Sequence, residues 1–266
     1  MRPFLKWAGG KHRLAPRIIE QLPHGKRLIE PFVGSGAVFL NSNYKSYLLS
    51  DANADLISVF NYLKTDSENF IKHCETFFTR DSNTEAHYYE NREKFNSTID
   101  TRKKAALFIY LNRHCFNGLC RYNSSGKYNV PFGRYSSPTL PVEEMLFFAK
   151  KAETASFEVA DFFDTMSKAT LGDVVYCDPP YVPLTATANF TDYATGGFGN
   201  EQQKSLAEMA EKLRNNSIPV LISNHDTEFT RVLYKRSSMS FFDVQRFISS
   251  KTSSRGKAAE LLAAFV

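Results

Sequence analysis

Val174-Val175-Tyr176-Cys177-Asp178-Pro179-Pro180-Tyr181 is a short apolar run that ends in an acid, two prolines and an aromatic. β-Branched and aromatic residues in a continuous run, with Gly172-Asp173 before it and a breaker pair after it, predict a buried strand that delivers a rigid polar turn. The two prolines fix two φ angles and remove two N–H donors. What remains is the Asp178 carboxylate and carbonyls that can only accept hydrogen bonds, with the flat face of Tyr181 beside them. Such a set suits an exocyclic amine on a ring. The amine has two hydrogens to give, and accepting them favours a pyramidal nitrogen whose lone pair can attack. The alternative is an ordinary strand followed by a Pro-Pro turn with a solvated acid.

A buried strand needs neighbours, and the chain supplies them upstream. Leu28-Ile29-Glu30-Pro31-Phe32-Val33-Gly34-Ser35-Gly36 reads as strand, turn and glycine loop, with a helix beginning at Ala37. Gly34 and Gly36 permit a tight turn and the close approach of a ligand. Tyr47-Leu48-Leu49-Ser50-Asp51 reads as a second strand ending in an acid, a place from which a carboxylate commonly binds ribose hydroxyls. Asp51 is alternatively the cap of a helix starting near Ala52. Strands near 27–32, 46–50, 155–160, 173–178 and 218–223 alternate with helix-like segments, the βα pattern of a mostly parallel sheet covered on both faces. Segments near 240–248 and 259–266 suggest an antiparallel pair closing it.

Between the second and third strands the pattern changes. Residues 53–115 are helical: Leu56, Phe60 and Leu63 share one face, Phe70, Cys74 and Phe77 another, and Ala105 to Leu111 is apolar nearly all round. The stretch 116–140 is rich in Asn, Ser, Gly, Pro and aromatics and reads as an irregular, exposed loop or hairpin. These features place a helical insertion at 54–145 within an α/β domain built from 1–53 and 146–266.

At 266 residues and 42% hydrophobic, the chain can bury a substantial core. No apolar run approaches membrane-spanning length, and the charged N-terminus lacks a signal peptide's apolar region. The four cysteines include no CxxC pair, so neither a zinc site nor a disulfide framework is indicated, and a reducing cytoplasm is the expected location. The net charge is only +5, but it is segregated. Residues 1–19 hold five Lys/Arg and no acid, 101–142 hold seven and none, and 231–258 hold seven against Asp243 alone. Such segregation is expected of a protein that grips a polyanion, although a single basic stretch is more often a solvated face. Aromatics interleave with the basic residues at Phe116, Arg121, Tyr122, Lys127, Tyr128, Arg134 and Tyr135, which suits stacking bases and neutralising phosphates.

Taken in order, Trp-Ala-Gly-Gly-Lys at 7–11, Glu-Pro-Phe-Val-Gly-Ser-Gly at 30–36, Asp51, Asn-Gly-Leu-Cys-Arg-Tyr-Asn at 117–123, Asn-Val-Pro-Phe-Gly-Arg-Tyr at 129–135 and Asp-Pro-Pro-Tyr at 178–181 resemble the Dam family of DNA adenine-N6 methyltransferases. Ala-Thr-Ala-Asn-Phe at 186–190 and Leu-Ile-Ser-Asn-His-Asp at 221–226 extend the resemblance over nearly the whole chain. It implies a Rossmann-like methyltransferase sheet, with the insertion as the target-recognition domain for GATC. It implies S-adenosylmethionine as methyl donor and S-adenosylhomocysteine as product, held by Trp7, Lys11, Gly34, Gly36, Asp51 and Asp178, with Asp161 at the donor's adenine. Asp161 reads equally well as the cap of a helix beginning at Phe162. Carried over by motif, Lys6, Asn117, Leu119, Arg121 and Pro131 would face base edges, while Arg134 and Tyr135 would meet the backbone of double-stranded DNA. Phe116 stands where relatives often place a Tyr that fills the gap left by the displaced adenine. It keeps the stacking face and loses the hydroxyl.

The resemblance thus implies base flipping and direct transfer by a monomer, several copies of which can share one DNA, with Asp178, Pro179, Pro180 and Tyr181 at the amine and no metal. Cytosine-N4 methyltransferases solve the same amine problem, more often with Ser in place of Asp178. Enzymes acting on protein glutamine or RNA use a similar turn. A silent DNA-binding module would be expected to have a damaged donor site.

Overall fold

The computed structural model describes residues 1–181, 198–245 and 257–266. Seven strands form one mixed sheet: β1 (Arg27–Glu30), β2 (Ser46–Asp51), β3 (Ala155–Val159), β4 (Asp173–Cys177), β5 (Val220–His225), β6 (Ser238–Gln245) and β7 (Lys257–Phe265), in the order β3-β2-β1-β4-β5-β7-β6. β1 pairs in parallel with β2 and β4, and β4 with β5. β7 is antiparallel to both β5 and β6. The sheet is mostly parallel with an antiparallel edge pair, as the strand pattern implied, and it has the Rossmann-like form that the resemblance implied.

Prolines set the ends of these strands. β1 stops at Glu30 rather than running to 32, because Pro31 has no N–H to give the ladder. β5 begins at Val220 rather than 218 for the same reason. Pro219 cannot donate, but its carbonyl accepts from Val175 N at 3.0 Å. The continuation of β6 toward 248 and the 186–190 motif lie outside the described residues.

The chain packs as two compact units. One comprises Pro16–Val33, Asn43–Ser50 and Ala160–Val266 and holds the site at β4. Every residue of β4 is buried. Its Val175 and Cys177 lie in a core with Ile29, Ile222, Leu261 and Ala263 of the neighbouring strands. The helix Asn200–Asn215 covers that core with Leu206, Ala207, Ala210 and Leu213, the spacing of one helical face.

The other unit comprises Met1–Ala15, Gly34–Ser42 and Asp51–Val159. It divides the chain differently from the boundaries drawn on strand alternation, because residues 1–15, 34–42 and β3 pack with the helices. Those helices are Ala54–Thr65, Ser67–Glu75, Glu85–Ser97, Thr101–His114 and Val142–Ala152. Thr101–His114 is buried from Ala105 to Asn112, as its all-round apolar sequence requires, and packs against the first three. Phe4, Phe39, Phe60, Phe148 and Phe157 form an aromatic cluster beside them. The stretch 116–140 corrects one expectation. It is irregular, with isolated bridges Cys115–Phe132 and Tyr122–Tyr128, but it is not simply exposed, since Tyr128 and Val130 are buried. The Tyr88 hydroxyl donates to Val130 O at 2.8 Å, and the Tyr128 hydroxyl to Leu119 O at 3.0 Å.

Candidate active site

β4 ends at Cys177, and Asp178 emerges half-buried at its carboxyl end. The Ser223 hydroxyl on β5 donates to Asp178 Oδ1 at 3.0 Å, and the Tyr176 hydroxyl lies 3.0 Å from the same Ser223 oxygen. With Ser223 donating to a carboxylate, its oxygen is free to accept from Tyr176, which completes a chain of buried hydroxyls ending on the acid. The Pro179-Pro180 segment offers no donor. The Pro180 carbonyl accepts from Gln203 Nε2 at 2.8 Å, so it is already engaged. Tyr181 donates through its hydroxyl to Glu260 Oε2 on β7 at 3.1 Å, and its ring meets that of His225 edge to face at 4.6 Å. Burial, with the negative charges of Asp178 and Glu260, pushes the Tyr181 phenol well above its ordinary value, so it stays a donor.

Asp161 lies in the same unit and caps the helix Phe162–Met166, accepting from Asp164 N at 2.9 Å. The capping alternative therefore describes its geometry. Next to it, Phe162 stacks on Phe32 with ring centroids 5.7 Å apart, and Phe198 meets both rings edge to face.

In the other unit, Gly34 and Gly36 take φ of +47° and +73° and lead into the helix Ala37–Asn41. A Cβ on Gly34 would stand 2.8 Å from Trp7 Nε1, so only glycine lets the indole lie against the loop. Asp51 accepts from Gly34 N at 3.1 Å through Oδ2 and from Asn53 N at 2.9 Å through Oδ1. The capping alternative for Asp51 is corrected: the helix starts at Ala54, and Asn53 caps it by accepting from Asp55 N and Leu56 N. Burial pushes the Asp51 carboxyl above its ordinary value, against the pull of the two N–H groups. Lys11 is buried, with Nζ donating to Gly9 O at 2.8 Å.

The same unit gathers the candidate DNA contacts. Asn112 grips the Lys6 backbone on both sides, accepting from its N–H at 2.9 Å and donating to its carbonyl at 2.7 Å. Lys6 Nζ donates to Arg113 O at 3.1 Å and sits 3.6 Å above the Tyr135 ring. A Cβ on Gly118 would collide with the Lys6 side chain at 2.2 Å, which explains a glycine there. Burial, then the charge of Arg113, lowers the Lys6 amine to about 8. Phe116 and Asn117 are exposed, Asn117 at φ +55°. Leu119 is half-buried, Pro131 is exposed and its carbonyl accepts from Phe116 N. Arg121 is exposed and held by Asn129, with Nε to Oδ1 at 2.8 Å. Arg134 is exposed at φ +52° and donates to Glu85 at 3.5 Å. The hairpin is fastened to the start of the helix Ala54–Thr65 by two bonds, Asn53 Nδ2 to Cys120 Sγ at 3.3 Å and the Tyr122 hydroxyl to Asp55 Oδ2 at 2.7 Å.

Several of these partners are residues that the sequence reading did not single out: Asn112, Asn129, Gln203, Ser223, His225 and Glu260. Asn129, Ser223 and His225 stood inside quoted motifs. A polar residue on the apolar stripe of a helix is the one local sign that could have found Gln203.

Over residues 7–249 the chain matches a family described as D12 class N6 adenine-specific DNA methyltransferase. It is 50% identical over 265 residues to the DNA adenine methylase of Serratia marcescens, covering 99% of this chain and 98% of that one. To the DNA adenine methylase of Escherichia coli K12 it is 50% identical over 264 residues, covering 99% and 95%. To that of Haemophilus influenzae it is 48% identical over 267 residues, covering 99% and 93%. A match of this extent runs through the Gly34–Gly36 loop, the basic hairpin and the Asp-Pro-Pro-Tyr turn alike, and the chain belongs to the D12 class N6 adenine-specific DNA methyltransferase family.

Proposed function

We propose that the protein transfers a methyl group from S-adenosylmethionine to N6 of adenine in GATC duplex DNA, after flipping the base out of the helix. The observation that carries this reading is the acceptor-only turn after β4. The Asp178 carboxylate is held by Ser223, and the next two residues have no N–H. With the Pro180 carbonyl occupied by Gln203, Asp178 and the Pro179 carbonyl are the acceptors offered to the two amine hydrogens. Both draw density onto N6 as it becomes a nucleophile. Tyr181 supplies the stacking face that offsets the few kcal/mol of unstacking. Holding the amine in one orientation accounts for much of the acceleration.

The donor-side residues fit S-adenosylmethionine. Glycine alone leaves room between the Gly34 loop and Trp7, and two backbone N–H groups orient a half-buried Asp51 carboxylate that retains lone pairs for a ribose diol. Trp7, Lys11, Gly34, Gly36, Asp51 and Asp178 would hold the donor. Asp161 would meet its adenine edge, with Phe32, Phe162 and Phe198 as apolar neighbours. When bound, S-adenosylmethionine supplies an electrophilic methyl group. Lys6, Asn117, Leu119, Arg121 and Pro131 are assigned to base edges, Arg134 and Tyr135 to the DNA backbone, and the exposed Phe116 to the gap left in the duplex.

The test is methyl transfer from labelled donor to unmethylated duplexes that differ in one base of GATC, with digestion afterwards to identify the modified nucleoside. N6-methyladenine confined to GATC is the expected result. Label in N4-methylcytosine, or transfer indifferent to the flanking bases, would overturn it.

A further inference from the structure

Proline locks φ but leaves ψ free. The Pro179-Pro180 segment therefore cannot by itself aim the next residue, and with no N–H groups it cannot fasten itself to a neighbour as donor. The rotation about ψ of Pro180 sets the direction in which Tyr181 leaves the turn. A carbonyl's orientation reports that rotation, and the Pro180 carbonyl is gripped from outside by Gln203 Nε2 at 2.8 Å.

Gln203 is well placed for this. It sits on the buried stripe of the helix Asn200–Asn215 with Leu206, Ala207 and Ala210, and is 1% exposed. Since a carbonyl only accepts, Gln203 must turn its amide nitrogen to Pro180, which sends Oε1 the other way. Two donors meet it there, Asn224 Nδ2 at 3.0 Å and the Tyr234 hydroxyl at 3.3 Å, both fully buried. The amide is thus fixed in one orientation by partners on β5 and beyond. At the other end of the ring, the Tyr181 hydroxyl donates to Glu260, a buried acid whose register partner across the β5–β7 ladder is His225. The His225 ring in turn abuts the Tyr181 ring.

We propose that Gln203 and Glu260 are positioning residues for the base-stacking ring, Gln203 holding its backbone through Pro180 and Glu260 its hydroxyl. The proposal rests on the reading of Tyr181 as the stacking face for the flipped adenine. Neither residue touches the base. Each acts on the rate by keeping the ring where the amine meets Asp178.

The experiment is a pair of double-mutant cycles read as single-turnover methyl transfer at saturating donor and duplex. Gln203→Met should slow transfer on the order of 10- to 100-fold, the scale of a misplaced reacting group, and should add nothing in a Tyr181→Ala background. Glu260→Leu should slow transfer less, on the order of 10-fold, and add nothing in a Tyr181→Phe background, while Glu260→Gln, whose amide oxygen still accepts, should keep close to the wild-type rate. Equal fractional losses with and without the ring or its hydroxyl would mean a merely structural role and overturn the proposal. If Gln203→Met does not fold, the Glu260 cycle decides by the same criterion. Wild-type rates in Tyr181→Ala itself would be a separate outcome, which removes the stacking reading and the proposal with it.

Discussion

Asp51→Ala removes a carboxylate that has two tasks in the proposed donor pocket, and a suitable ligand pair separates them. Toward the protein it accepts from Gly34 N at 3.1 Å and Asn53 N at 2.9 Å, so its loss frees the glycine loop. Toward the donor it is the proposed acceptor for the ribose diol. Hydrogen bonds to a charged group contribute about 1.5–3 kcal/mol each, so loss of a single ribose contact corresponds to a loss of roughly 10- to 150-fold in affinity. Loosening the loop weakens binding too, and a simple affinity loss would confound the effects. Calorimetry with S-adenosylhomocysteine and its 2′,3′-dideoxy analogue distinguishes them. The wild type should prefer the diol by about 10-fold or more, and Asp51→Ala by less than about 2-fold. Should the variant lose affinity yet keep the full preference, Asp51 is a loop fastener and the ribose assignment is wrong. Burial holds the Asp51 carboxyl above its ordinary value, so the folded state binds this proton more tightly than the unfolded chain. Its contribution to stability is therefore largest at acid pH and declines as pH rises through the folded value. Donor affinity should run oppositely, improving as the carboxylate ionises.

Asp178→Ala should reduce methyl transfer at least about 100-fold while duplex binding persists, and a residual rate above a few per cent would show that the carboxylate does not hold the amine. Arg121→Ala should erode discrimination between GATC and a site altered at one guanine by about 1–3 kcal/mol, whereas Arg134→Ala should weaken all duplexes alike and lower the salt slope by about one. Equal weakening by both would reduce Arg121 to a phosphate anchor. Lys6, held near 8 by burial and Arg113, should lose its charge as pH rises from 7 to 9.5. Duplex affinity of the wild type should fall across that window and that of Lys6→Arg should not, and parallel curves would place the titrating group elsewhere.

Much of the sheet was legible because β1, β2, β4 and β5 are buried on both faces and carry continuous apolar residues, as in Val174 to Cys177, whereas β3 alternates, with Ser156 exposed. Strand ends shifted where proline interrupts donation, at Pro31 and Pro219. The two capping alternatives divided. Asp161 does cap its helix, whereas Asn53, two residues downstream, displaces Asp51, since either side chain could have served and only the chain's path chooses. The hairpin at 116–140 looked exposed because its polar residues far outnumber its buried ones, Gly118, Tyr128 and Val130. The supports of the site were the least legible part. Gln203 meets Pro180 across 23 residues and Glu260 meets Tyr181 across 79, contacts without local periodicity.

If the hairpin reads the target as proposed, its two fastenings to the helix bear on how specificity can be exchanged among relatives. Cys120 and Tyr122 belong to the segment that a designer would graft, but their partners Asn53 and Asp55 stand more than 60 residues earlier, directly after Asp51. A chimera cut at 116 and 135 would bring foreign side chains against Asn53 and leave Asp55 to Lys104 alone at 3.0 Å. The transplantable cassette is therefore discontinuous, the hairpin together with residues 53 and 55. Swaps that carry both pieces should recover recognition without altering the donor's affinity.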